Sequence, residues 1–139
     1  MSVRLSLALA AVLALASGGA ALACSCAPKH IPGAAEMRKL APVIFTGVAR
    51  ASRMIDATAI ETTFEVTEAF QGVAAGERVV VSHPAPKPGS CGVGFTVGET
   101  HTLGAHRGAG GRGLSANLCT LWMFIADDDG KLIGALRRR

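Results

Sequence analysis

The 139-residue chain has no tyrosine, one tryptophan and five phenylalanines, and charged residues make up only 17% of it. A surface that binds single-stranded nucleic acid stacks bases on exposed aromatic rings. So few rings, most of them in core-like segments, argue against that partner. Catalytic residues are equally scarce. His30, His83, His101 and His106 are scattered, no H-E-x-x-H run occurs, and no serine sits in G-x-S-x-G. The chain therefore reads as a non-enzyme with no cofactor of its own, and His101 and His106 as ordinary surface or half-buried side chains. Asp127-Asp128-Asp129-Gly130 opens like a calcium loop, but its acids are contiguous and no glutamate follows at the required spacing. It reads as turn chemistry. Past residue 23 no apolar run approaches the roughly 20 residues needed to span a bilayer.

What is present begins with a leader. Arg4, the apolar residues 5–16 and the small residues 17–23, ending Ala21-Leu22-Ala23, read as a secretory signal cleaved after Ala23. Residues 24–139 then form a single domain of ordinary size, exported to the periplasm or the medium. All four cysteines, Cys24, Cys26, Cys91 and Cys119, lie beyond the cleavage point. An even number in an exported chain points to two disulfides, and four cysteines allow three pairings. Structural zinc is the alternative. Its sites place cysteines as C-x₂₋₄-C pairs, whereas the one close pair here has a single intervening residue. The formal net charge is +4. Part of that excess lies in Arg137-Arg138-Arg139, which reads as a solvated, frayed tail.

Along the chain, Pro28 and Pro32 make the start irregular, and residues 33–40 carry good helix formers stopped by Pro42. Residues 43–49 read as a buried strand with Gly47 as a bulge or bend. Residues 57–70 alternate: Ile60, Thr62, Phe64, Val66 and Glu68 share one face, and Glu61, Thr63, Glu65 and Thr67 the other. Residues 50–56, with Met54 and Ile55, should form the hairpin tip between them. Residues 77–82 and 100–105 are further strands, and the proline-rich residues 84–92 a surface connector pinned by Cys91. The apolar residues 121–125 fit strand or helix, and residues 127–130 should turn into a hairpin with residues 131–136. Five or six short strands with one small helix argue for a closed or nearly closed antiparallel barrel.

Several stretches together resemble the N-terminal domain of the tissue inhibitors of metalloproteinases and, more closely, bacterial proteins similar to it. They are Cys24-Ser25-Cys26-Ala27-Pro28, Val43-Ile44-Phe45-Thr46-Gly47, Phe64-Glu65-Val66, Phe70-Gln71-Gly72, Ser90-Cys91-Gly92, Gly98-Glu99 and Leu114 through Cys119. The correspondence ends near Thr120. The resemblance implies a mostly β, five-stranded OB-fold Greek-key barrel with one or two short helices, stapled by Cys24–Cys91 and Cys26–Cys119. It also implies an inhibitory ridge built from Cys24, Ser25, Cys26, Ala27, Pro28, Ser90, Cys91 and Gly92. In that family the α-amino nitrogen and carbonyl oxygen of the first cysteine chelate the target protease's zinc, so Cys24 would be the only metal-binding residue, and only in trans. Ser25 would then point towards the specificity pocket. The expected protein is an exported, monomeric, inhibitor-like partner of zinc metalloendopeptidases. Two other readings stand beside it. One is a non-inhibitory binding module docking an envelope or extracellular partner through residues 50–56 and 84–92. The other is a lipoprotein acylated at Cys24, against which Ala21-Leu22-Ala23 is a poor lipobox.

Overall fold

The computed structural model describes residue 26 and residues 31–108, 110, 113–125 and 129–138, the side chain of Trp122 excepted. Residues 1–23, expected to be a leader, and Cys24 lie outside the described residues, as do Ser25, Ala27, Pro28 and His30. Five strands close into a barrel: β1 (Val43–Met54), β2 (Ala59–Gln71), β3 (Arg78–Pro84), β4 (Thr100–Arg107) and β5 (Leu114–Ser115). Around the barrel the order is β1-β2-β3-β5-β4, with β4 returning to β1. Three short helices accompany them: α1 (Ala34–Leu40), α2 (Leu118–Ile125) and α3 (Lys131–Arg137). Among the described residues no helix is long and apolar enough to cross a membrane.

Strand alternation decides which side chains fill the barrel. Thr62, Phe64 and Val66 of β2 are buried as their period of two requires, with Val43 and Phe45 of β1, Val79 and Val81 of β3, and Leu103 and Ala105 of β4. Gly47 lies at a break in the β1–β2 register, where a Cβ would sit 2.9 Å from the Glu65 carbonyl oxygen. The bulge read from the sequence is present there. β1 runs on to Met54, so the hairpin turn falls at residues 55–58 and not at 50–56. Cross-strand pairs carry the ladder outward: Arg50 to Glu65, Arg53 to Glu61, and the Ser52 and Thr62 hydroxyls 3.0 Å apart. One seam is not antiparallel. β3 and β5 pair in parallel through only Val81↔Leu114 and Ser82↔Ser115.

A second core lies outside the barrel wall. Ile44 points away from Val43 and Phe45 and joins Met37, Ala41, Phe70, Phe124, Leu132 and Leu136. The opposite position on β4 is Gly104, and its missing side chain is what lets α1 approach: a Cβ there would lie 2.8 Å from Ala41 Cβ and 2.9 Å from Met37 Cε. The Arg38 guanidinium donates to the carbonyls of Phe70 (2.7 Å) and Leu136 (2.8 Å), joining α1, β2 and α3.

The expected hairpin over residues 127–136 is not formed. Lys131–Arg137 is helical because Leu132 and Leu136, four apart, face this outer core together. Residues 118–125 are helical as well, so the described residues hold three short helices where one or two were expected. Asn117 starts α2, its Oδ1 accepting from the Cys119 (2.9 Å) and Thr120 (3.2 Å) amides. Leu121 then enters the barrel core and Phe124 the outer one. Arg137 is not part of a frayed tail. It forms two bonds to Glu68, at 2.7 and 2.8 Å, and these hold the Glu68 carboxyl below its ordinary pKa. Arg139 lies outside the described residues.

Two glycines give opposite expectations. Gly104→Ala overpacks the α1 contact and should lower stability by about 1–3 kcal/mol. Gly134→Ala, on a face of α3 where the nearest atom to a new Cβ is 4.0 Å away, should raise it by about 0.5–1 kcal/mol. Urea unfolding of both variants checks the pair.

Candidate functional site

At one end of the barrel the connector after β3 meets the β1–β2 turn and Cys26. Asp56 shapes the hairpin turn, its Oδ1 accepting from the Thr58 amide (2.7 Å), the Thr58 hydroxyl (2.8 Å) and the Ala59 amide (3.0 Å). Those donors hold its carboxyl below the ordinary range. The turn is tied to the connector by the Ala85 amide, which donates to Thr58 O at 2.8 Å, and by Lys87 Nζ, which donates to Ala57 O. Met54 and Ile55 stand exposed beside it, 65% and 50% accessible.

The connector's sequence accounts for its shape. Pro88 and Gly89 occupy the middle of a turn closed by Ser90 N to Lys87 O at 3.0 Å, with Gly89 at φ +76°. Proline presets the first central torsion and glycine supplies the positive second. The Ser90 hydroxyl oxygen accepts from the Lys87 amide (3.0 Å) and the Gly92 amide (3.2 Å), and it lies within bonding distance of the Ala85 and Lys87 carbonyls. Gly92 presses on the backbone. A Cβ there would be 2.0 Å from Ala85 O, so no other residue fits without moving the chain.

Cysteine chemistry locks this end. Cys26 and Cys119 form a disulfide across 93 residues with Cα atoms 4.8 Å apart, as the resemblance implied. Cys91 brings its sulfur into the same group, the three Sγ atoms lying within 4.8 Å of one another, and its carbonyl accepts from Leu118 N at 3.0 Å. Such a cluster has the spacing of a metal site but not the chemistry. Cys26 and Cys119 are bonded to each other and Cys91 is likewise not a thiol, so no thiolate is offered. The expected Cys24–Cys91 bridge falls on a residue outside those described. Of the ridge residues, the structure brings together Cys26, Ser90, Cys91 and Gly92, all half-buried.

The sequence reading missed a set of side chains just inside the barrel. His83 is 2% exposed, with its Nε2 2.8 Å from the Thr62 hydroxyl and its Nδ1 unpartnered. Its ring meets Phe95 edge-on at 4.9 Å, and Phe95 meets Phe64 at 5.0 Å and His101 at 5.1 Å. Burial pushes the His83 imidazole below its ordinary pKa, and the carbonyls of Pro84 and Val93 oppose the shift only in part. A signal for it existed. Val79, Val81 and His83 continue one inward face, but the strand was expected to stop at residue 82. His101 is half-buried and His106 exposed.

No known protein family matches the chain, and no curated protein matches it either.

Removing the disulfide with Cys26→Ser and Cys119→Ser together releases a long loop in the unfolded chain and should cost about 2–5 kcal/mol. Thermal or urea unfolding under non-reducing conditions measures it.

Proposed function

We propose that the chain is an exported OB-fold barrel of the tissue-inhibitor-of-metalloproteinases kind that inhibits zinc metalloendopeptidases through its first cysteine. One observation carries this reading. The Cys26–Cys119 disulfide and the adjoining Cys91 sulfur anchor residue 26 beside the Ser90-Cys91-Gly92 segment, so a chain cleaved after Ala23 has its amine two residues from a rigid anchor. The strand order, with β1–β4 antiparallel and β3–β5 parallel, supports the OB-fold assignment.

The chemistry follows from the metal. A catalytic zinc holds three protein ligands and an exchangeable water. The Cys24 amine and carbonyl would replace that water as a bidentate pair once the amine is neutral, and a free α-amino group titrates near about 8. Anchoring residue 26 reduces the ordering cost of presenting those atoms. The zinc belongs to the target, and the inhibitor needs no cofactor of its own.

A second reading, docking of an envelope or extracellular partner without inhibition, draws on a different observation. The Ala85–Thr58 and Lys87–Ala57 bonds merge the hairpin turn and the connector into one surface that displays Met54 and Ile55.

One alanine placed ahead of Cys24 separates the two. Chelation predicts that inhibition of zinc peptidases weakens by at least about 100-fold, equivalent to about 2.8 kcal/mol. Unchanged potency contradicts it. Partner capture lost on Met54→Ser with Ile55→Ser, but indifferent to the added alanine, selects the docking reading.

A further inference from the structure

The connector between β3 and β4 contains no helix or strand, yet it presents the half-buried Ser90, Cys91 and Gly92 and sends Val93 and Phe95 into the barrel. Besides the disulfide-bonded Cys91, backbone bonds hold it to the rest of the barrel, among them Ala85 N to Thr58 O, Val93 N to Pro84 O at 3.1 Å, Gly98 N to Ala49 O at 2.7 Å, Ala49 N to Glu99 O at 3.0 Å and Leu118 N to Cys91 O. Of its inward side chains, Phe95 lies with its ring against both His83 and His101. We propose that His83 is a proton-operated latch on this connector: a proton taken up inside the barrel releases Phe95 and loosens the connector while the strand ladder stays closed.

The physical case begins with the unpartnered Nδ1. A neutral imidazole satisfies one buried nitrogen with Thr62, whereas an imidazolium carries a donor on both nitrogens and a charge that the neighbouring Phe95 ring does not solvate and that the Pro84 and Val93 carbonyls offset only in part. Among the described residues no charged side chain offsets this. Thr62 on β2 is neutral, as are Ser115 on β5 and Asn117 beyond it. Asp56 and Lys87, the charges of the turn and of the connector's first bend, are engaged with Thr58, Ala59 and Ala57. On β4 the one titratable neighbour, His101, lies across Phe95, and Glu99 approaches its Nε2 at 3.9 Å. Water can reach the site through an open groove of about 470 Å³ lined by Thr58, Ser82, His83, Pro84, Ser115 and Asn117.

Relief is available on one side only. Thr62 and Phe64 belong to a strand paired on both edges, while Phe95 rides on backbone with no ladder. Opening therefore costs least at the connector. The sign follows from the direction of the His83 shift. The open form, with an ordinary imidazole, binds the proton more tightly than the closed form, so the closed state is fully favoured above about pH 6.5 and loses ground as the pH falls below it. The latch concerns the connector itself and stands apart from whether that connector meets a protease.

Amide hydrogen exchange at pH 7 and pH 5.5, corrected for intrinsic exchange, is the test. The opening constant of the Ala85, Val93 and Gly98 amides should rise up to about tenfold at the lower pH, with the β1–β2 amides unchanged. His83→Gln should abolish the rise and His101→Gln should leave it. The proposal is overturned if connector protection does not depend on pH, if the whole barrel opens in step, or if His83→Gln keeps the wild-type response. Should that variant not fold, the wild type answers by NMR: the His83 Cε1 resonance must titrate in step with connector opening, and a mismatch rejects the latch.

Discussion

A five-stranded barrel whose last strand contributes two residues cannot be closed by its ladder alone. The parallel seam between β3 and β5 offers two bridged pairs, and a ladder that short does not hold a barrel shut against thermal fraying. Closure is supplied from the residues that follow. Asn117 caps α2 immediately after β5, Leu121 fills the barrel core from that helix, and Cys119 ties the helix start to Cys26. The backbone bond from Leu118 to Cys91 adds the connector to the same junction. Barrel closure and the anchoring of Cys26 are thus one event.

That coupling gives the candidate site its rigidity without regular structure. The connector has a turn set by Pro88 and Gly89, a serine hydroxyl that collects amides of the same loop, and a glycine pressed on the Ala85 carbonyl. Each device replaces a ladder bond that the prolines rule out. The outer layer of α1 and α3 contributes no residue to the site. It buries Ile44 and the bare face at Gly104, and Arg38 and Arg137 secure it to β2.

Much of the barrel was legible because one residue pattern decided it. The alternation through Thr62, Phe64 and Val66 survives folding unchanged, and Gly47 marks its bulge. The Cys26–Cys119 pairing was legible only through resemblance, since four cysteines allow three connectivities. Helix could not be told from strand at residues 121–125, because an apolar run fits both until Asn117 acts as a cap and two cores claim Leu121 and Phe124. The parallel seam was not legible, because the register of β3 against β5 is set by barrel closure and not by either strand's sequence. His83 was overlooked for a simpler reason. A histidine following Val79 and Val81 in phase belongs to the inward face whatever its polarity.

The central claim is that the mature chain begins at an unmodified Cys24 stapled to the barrel at its connector. Mass mapping of the exported, unreduced protein tests it most directly. The account predicts an N-terminal peptide starting at Cys24, linked to Cys91, beside a Cys26–Cys119 peptide, with the intact mass lower by four hydrogens than the reduced chain. A diacylglycerol increment on Cys24, or a mature chain beginning at any other residue, would contradict it.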